Sequence, residues 1–265
     1  MPVHKHRPRK RFGQHFLTDY GVIDQIANAI APRTEDVIVE IGPGPGALTR
    51  PIAKSCSTLH AIELDRDLAA MLRTQFAGNK NVTIHEADAL SFDFGSLGDS
   101  LRVIGNLPYN ISTPLLFHLL DFRNSIRDMH FMLQKEVVER MAASPGSKKF
   151  GRLSIMLGCY LEIDALFDVD RWAFDPPPAV TSAVVRLRPF VPDKYAITDP
   201  GLLSSVVSTA FGQRRKTLRN SLKTLVSPDD FTALGIDAGL RAENLPISDW
   251  VALANRLDTN ADNRS

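Results

Sequence analysis

The run Val37-Ile-Val-Glu-Ile41, followed at once by Gly42-Pro-Gly-Pro-Gly46, constrains the fold more than any other stretch of the chain. A short β-branched run that ends at glycine reads as a buried strand. Beyond the glycines, Leu48, Ile52 and Ala53 recur at helical spacing. A glycine-rich turn between strand and helix lets a ligand approach the backbone closely, because no Cβ intervenes. Similar apolar runs occupy residues 58–62, 82–85, 101–104 and 129–133, and Leu68, Met71, Leu72 and Phe76 keep helical spacing between two of them. Such alternation implies right-handed crossovers and a mainly parallel sheet with helices on both faces. Residues 153–167 and 179–187 read as two more strands joined by a Pro-rich loop, a hairpin at the sheet edge.

The texture changes after Arg188-Pro-Phe-Val-Pro192. Asp199-Pro200 is an N-cap with proline at the first helical position, ahead of Leu202, Leu203, Val206, Val207, Ala210 and Phe211. Ser227-Pro-Asp-Asp230 starts another helix that Gly235 ends, and Ser248 starts a last one. The expected organisation is an α/β domain over residues 1–192, with residues 1–20 as a basic arm, and a small all-helical domain over 193–265.

Composition excludes several classes. At 265 residues, 44% hydrophobic and 23% charged, the chain is globular and neither disordered nor fibrous. No stretch reaches the roughly 18 apolar residues of a membrane span, and the basic N-terminus leads into no apolar secretory core. Cys56 and Cys159 have no metal-ligand spacing and suit a reducing compartment, so a soluble cytoplasmic protein without a metal is expected. Net charge is only +1, but its distribution is uneven. Lys5, Arg7, Arg9, Lys10 and Arg11 stand together without an acid, as do Arg214, Arg215, Lys216, Arg219 and Lys223. Positive charge concentrated in this way points towards a polyanion, a solvated tail and helix face being the bland alternative.

The glycine loop and the next strands nominate a nucleoside site. Glu63 ends the second strand, 21 residues beyond Gly42, where a carboxylate can accept from both ribose hydroxyls. Asp88, with Ala89 after it, follows the third strand at the edge where ligands bind, and its carboxylate can accept from an adenine amine. Gly42-x-Gly44-x-x-Ala47 also satisfies the dinucleotide pattern, so the loop alone leaves NAD open.

Gly105-Asn-Leu-Pro-Tyr-Asn110 closes the fourth strand and carries the most specific chemistry. The exocyclic nitrogen of adenine is a poor nucleophile because its lone pair is delocalised into the ring. Two acceptors aimed at its N–H groups favour a pyramidal nitrogen, and the Asn106 amide oxygen and Leu107 carbonyl are the candidates. Pro108 biases Leu107 to an extended backbone, which helps aim that carbonyl. Tyr109 can stack on a base that has left its helix. No strong base is required, since the amine becomes acidic only once alkylated.

Arg11-Phe-Gly-Gln-His-Phe-Leu17, Glu40-Ile-Gly-Pro-Gly-Pro-Gly46, Ala61-Ile-Glu-Leu-Asp65, Asn106-Leu-Pro-Tyr109 and Met132-Leu-Gln-Lys-Glu136 occur in that order. Phe174-Asp-Pro-Pro-Pro-Ala-Val-Thr-Ser182 and Phe211-Gly-Gln-Arg-Arg-Lys-Thr-Leu-Arg-Asn-Ser-Leu222 follow. This set, over about residues 10–225, resembles the bacterial ribosomal RNA adenine dimethyltransferase family, its small-subunit group above all. The resemblance implies a Rossmann-like, seven-stranded class I methyltransferase domain with a C-terminal helical domain. It implies S-adenosylmethionine as cofactor and, as substrate, two adjacent adenosines in a hairpin near the 3′ end of 16S ribosomal RNA within the small subunit. By resemblance, His15, Leu17, Gly42, Gly44, Glu63, Asp88, Ala89 and Asn106 hold the cofactor, and Phe174 closes on the target adenine opposite Tyr109. Arg214, Arg215, Lys216 and Arg219, on a helix, together with the arm would contact RNA phosphates, and a monomer is expected. Three alternatives stay open: a large-subunit dimethyltransferase, an NAD-dependent oxidoreductase, and a non-catalytic ribosome-assembly factor.

Overall fold

The computed structural model describes residues 15–262. A short strand β1 (Phe16–Leu17) leads into α1 (Tyr20–Ile30), after which strands and helices alternate. They are β2 (Val37–Ile41), α2 (Thr49–Ile52), β3 (Thr58–Glu63), α3 (Arg66–Gln75), β4 (Val82–Glu86), β5 (Leu101–Asn106), α4 (Ser112–Asp121) and β6 (Ile126–Gln134). Then come α5 (Lys135–Met141), α6 (Arg152–Gly158), β7 (Leu161–Val169), β8 (Phe174–Asp175) and β9 (Ser182–Pro189). Helices α7 (Pro200–Phe211), α8 (Leu218–Ser221), α9 (Pro228–Leu234) and α10 (Ile247–Asp262) complete the chain.

The main sheet has seven strands in the order β4-β3-β2-β5-β6-β9-β7. The first five are mutually parallel, and β9 runs antiparallel to β6. From β2 the chain winds outward to β4, then returns to β5 on the other side, so the direction of winding reverses between β2 and β5. Crevices for ligands open at the carboxyl ends of strands at such a reversal. Gly105 allows the two strands to close up there, since a Cβ on it would lie 2.5 Å from the Ile41 carbonyl oxygen.

At the opposite end of β5, buried Arg102 binds Asp128 at 3.0 Å and Asp36 at 2.7 Å, and also donates to the Ile30 carbonyl at 2.6 Å. The guanidinium therefore ties the C-terminus of α1 to two strands. Although burial opposes ionisation of Asp128, its partners Arg102 and His130 hold its carboxyl down at about 2. An intact salt-linked node at one end of the sheet leaves the other end free for function.

The chain divides into two compact units, one of residues 1–138 and 164–189, the other of 139–163 and 190–265. The break near residue 190 falls beside the sequence boundary at 192, but 139–163 groups with the helices, which the sequence reading did not foresee. Part of that segment corrects an expectation. Residues 153–158 form helix α6 and not a strand, with Leu153, Ser154, Ile155, Met156 and Leu157 all buried. A short run that is apolar throughout has no periodicity to separate strand from buried helix. The strand of this region is confined to Leu161–Val169.

In the helical unit α10 packs on α7 and α9, and α6 on α7. Trp250 is fully buried, donating its indole N–H to the Leu245 carbonyl at 3.1 Å. Both sequence caps form: Asp199 accepts from Gly201 and Leu202, and Ser227 and Asp230 make a reciprocal capping box. Among the described residues, no helix is long and apolar enough to cross a membrane.

Candidate active site

The carboxyl ends of β2, β3, β4 and β5, together with β1, surround a cavity of about 360 Å³, within the range of small-molecule sites. His15, Leu17, Gly42, Gly44, Glu63, Asp88, Ala89, Asn106, Leu107 and Tyr109 all line it. These residues span almost a hundred positions of sequence; sheet topology alone brings them together.

The loop after β2 holds its shape because Gly42, Gly44 and Gly46 all have positive φ. At Gly44 a side chain would also meet the Phe16 ring at 3.1 Å. Glu63 is pinned beneath this loop, its Oε2 accepting from the Gly44 N–H at 3.2 Å and its Oε1 from the Asp65 N–H at 2.8 Å. Each oxygen keeps a second lone pair for a ribose hydroxyl. Burial raises the Glu63 pKa, and those two N–H groups oppose the rise. Asp88 is exposed at the mouth, with one carboxylate oxygen accepting from the Leu90 N–H at 2.9 Å.

Glu40 lines the same cavity and was not singled out from sequence as a site residue. It is 2% exposed, and its Oε2 has no hydrogen-bond partner. Burial, opposed by hydrogen bonding to Thr49 and reinforced by the nearby Glu63 charge, pushes its carboxyl up to about 7. A buried carboxylate with one oxygen left without a partner is costly unless a ligand completes it. The signal was present in the sequence: one acid interrupts the β-branched run 37–41. Phe16 and Asp65 also line the cavity and were likewise missed.

Among the described residues, the lining contains Glu40, Glu63, Asp65 and Asp88 but neither lysine nor arginine. A diphosphate would meet four carboxylates there, with no Lys or Arg among the described lining residues to offset them. The helix after the loop is only one turn long, and its N-cap residue Leu48 makes no side-chain cap. The NAD reading therefore loses its physical basis, because dinucleotide sites place the pyrophosphate on a helix N-terminus. S-adenosylmethionine suits the donor set: a cationic amino-acid end for the unpaired Glu40 oxygen, ribose hydroxyls for Glu63 and an adenine for Asp88.

At the end of β5 the Asn106 amide donates from Nδ2 to the His15 carbonyl at 3.1 Å. This contact orients the amide and leaves its oxygen as the acceptor facing a ligand. The Leu107 N–H is taken by the Met132 carbonyl at 3.2 Å, which prolongs the strand and fixes the following carbonyl. Tyr109 shares a hydrogen bond with the Ser182 hydroxyl at 3.0 Å, and burial raises its pKa, so the ring stays a neutral phenol. The His15 ring lies nearly parallel to it, with centroids 6.2 Å apart, and bonds the Pro176 carbonyl at 2.7 Å.

Phe174 departs from the expectation. It is 3% exposed, pairs with Leu17 through β8, and packs in the core with Leu17, Met132 and Val184. It does not line the cavity, so a lid over the target base is not what its ring forms here. Strand pairing decides this, since β8 turns that residue inward.

The basic segment also differs from its sequence reading. Residues 212–216 form turns rather than a helix, and only Arg219 lies on α8. Arg214 donates to the Lys148 and Phe150 carbonyls at 2.8 and 3.1 Å and faces Glu243 at 3.4 Å, so it clamps a neighbouring loop. Arg215, Lys216 and Arg219 are exposed. The arm with Lys5, Arg7, Arg9, Lys10 and Arg11 lies outside the described residues.

Comparison with known proteins agrees with this geometry. The family model for ribosomal RNA adenine dimethylases matches residues 5–259. Ribosomal RNA small subunit methyltransferase A of Thiobacillus denitrificans is 59% identical over 96% of this chain and 99% of its own. A crystal structure of a dimethyladenosine transferase from Plasmodium falciparum superimposes with a TM-score of 0.83 at 26% identity, covering 93% of this chain and 98% of that one. The 23S rRNA methyltransferase ErmE gives 0.73 at 26% identity over 92% and 99% of the two chains. With an acid-lined nucleoside cavity, an oriented Asn106 amide and a match over nearly its whole length, the chain belongs to the ribosomal RNA adenine dimethylase family.

Proposed function

We propose that this protein transfers methyl groups from S-adenosylmethionine to the exocyclic amines of two adjacent adenosines in a hairpin near the 3′ end of 16S ribosomal RNA. The observation that carries the reading is the Asn106 amide, held through Nδ2 by the His15 carbonyl with its oxygen left as an acceptor, in the cavity that Glu63 and Asp88 also line. The bound cofactor supplies an activated methyl group on a sulfonium. The protein's own residues position the acceptor. Asn106 Oδ1 and the Leu107 carbonyl hold the two N–H bonds of the amine, and Tyr109 stacks on the extruded base. Holding the reactants in line at about 3–3.5 Å is worth up to about 7–11 kcal/mol, which explains the absence of a strong base beside Asn106. The proton released by the alkylated amine goes to water.

Glu63 and Asp88 would hold the nucleoside part of the cofactor, with His15, Leu17, Gly42, Gly44 and Ala89 forming the wall. Glu40 would take the ammonium. RNA phosphates would be bound by Arg215, Lys216 and Arg219 of the 190–265 segment together with the N-terminal arm, and the enzyme would act as a cytoplasmic monomer. The 59% identity to a small-subunit enzyme, against 26% to ErmE, favours the small subunit over the large one. An intact Asn106 and Tyr109 favour an enzyme over a catalytically silent assembly factor.

The test is to incubate the protein with unmethylated small subunits and labelled methyl donor, then map the modified nucleotides. Label on two neighbouring adenosines near the 3′ end is expected. Label on large-subunit RNA, or none, would overturn the assignment.

A further inference from the structure

Two large aromatic side chains are exposed in the first unit, outside the lining of the cavity. Trp172 is 68% exposed and Tyr20 82% exposed, and neither lines the site described above. The Thr18 and Asp19 N–H groups both donate to the Ala173 carbonyl, at 2.8 and 3.2 Å. These bonds extend the β1–β8 pairing and bring the start of α1 alongside the turn that carries Trp172. Leaving such side chains in water forgoes the gain from their burial, which a binding partner can recover.

The surrounding charge says which partner. Asp19, Asp24, Asp170 and Asp175, which lie on the same two backbone segments as Tyr20 and Trp172, are all exposed. Asp19 caps α1 through the Val22 N–H, and Asp170 caps the Trp172 turn through the Trp172 N–H at 2.9 Å, so both carboxylates are fixed in place. Asp175 sits opposite Phe16 in the strand pair, and Asp24 lies one turn along α1. Arg171 is the one cation of the turn, its guanidinium 4.4 Å from the Trp172 ring centroid, which leaves the other ring face open. Among the described residues, these carboxylates would repel RNA phosphates, unlike Arg215 and Lys216. A cation is attracted both to the carboxylates and to the open face of an indole.

We propose that the Tyr20–Trp172 face docks an arginine- or lysine-rich polypeptide segment, with one cation on the open face of Trp172 and others on Asp24 and Asp175. This surface is separate from the methyl-transfer reading and stands or falls independently of it.

The protein carries its own reporter. It has two tryptophans, and Trp250 is fully buried, so an added solute reaches Trp172 alone. Nona-arginine titrated into the full chain at low salt should change the Trp172 emission saturably, with an apparent Kd that rises as salt is added. The double variant Asp24→Lys, Asp175→Lys should weaken that Kd at least tenfold with an unchanged melting temperature. Trp172→Ala, followed by calorimetry because its emission is lost, should abolish peptide binding at the same temperature stability. An emission unresponsive to the peptide, or an unaltered Kd in the double variant, overturns the proposal. So does an oligoadenylate RNA that saturates the Trp172 signal at lower concentration than the peptide, since the face would then belong to RNA.

Discussion

The cavity at the carboxyl ends of β2 to β5 and the basic turn at residues 212–219 reach function by opposite routes. The cavity gathers residues from position 15 to position 111, and each is set by the strand that ends beside it. The turn draws its charge from a few consecutive residues and needs only exposure. Side chains of the cavity have defined partners: Glu63 holds two backbone N–H groups and Asn106 holds the His15 carbonyl. In the turn, Arg214 alone is fixed, by the Lys148 and Phe150 carbonyls, while Arg215 and Lys216 stay in solvent. Chemistry at a single amine demands fixed acceptors, whereas phosphate attraction is long-ranged and tolerates mobility. Substitutions should therefore act steeply in one region and shallowly in the other.

The sharpest break is Asn106→Ala. Loss of one fixed polar contact to a reacting group costs about 10²–10³-fold in rate in comparable sites. Methyl transfer to small subunits should fall by that factor while small-subunit binding, followed by filter retention, stays the same. A fall under tenfold would show that the amide is not an acceptor for the amine.

Next in size is Glu40→Gln, which tests whether the cavity is built for a positive ligand. The folded carboxyl is raised from 4.5 to about 7, so between those values the folded state holds a proton that the unfolded chain has released. Stability from this group is thus complete below about pH 4.5 and lost as pH rises to about 7, with each unit worth about 1.4 kcal/mol. In the ligand-free protein the glutamine variant should melt a few degrees higher at pH 8 and level with the parent at pH 4, by scanning calorimetry. A difference that does not depend on pH would mean the carboxylate is not held buried and unpaired.

The smallest effects separate the arginines of the turn. Arg215→Ala with Lys216→Ala should lower the slope of log affinity against log salt by about 0.7–0.9 for each charge removed, at constant melting temperature. Arg214→Ala should instead lower the melting temperature by about 2–4 °C, the loss expected when roughly 1 kcal/mol of charged hydrogen bonding goes from a domain of this size. Equal salt slopes and equal melting for all three would erase the distinction between clamp and contact.

Much of the site was legible because its chemistry is local in sequence. The strand ending at Gly42, the acid at Glu63 and the Asn106-Leu-Pro-Tyr109 turn each carry a backbone or side-chain requirement that few residues meet. The burial of Phe174 was not legible, for the opposite reason. Whether an aromatic beside a Pro-rich loop faces a ligand or the core depends on its strand partner, here Leu17, which lies 157 positions away in the chain. The helix at 152–158 was mistaken for strand because burial on all sides erases periodicity. Glu40 was passed over because a lone acid in an apolar run gains meaning only when its burial and its missing partner are known.

From the amino-acid order alone come the alternating architecture, the positive-φ loop, the helix caps at Asp199 and Ser227, and the Asn106-Leu-Pro-Tyr109 turn proposed to meet the target amine. These rest on steric and hydrogen-bonding rules that act within a few residues. Only the tertiary fold decides that the winding reverses between β2 and β5, that four carboxylates, and among the described residues no Lys or Arg, line one cavity, and that Arg214 serves as a clamp. Proximity between distant segments, and the water it removes, sets those properties, and no short stretch of chain contains either.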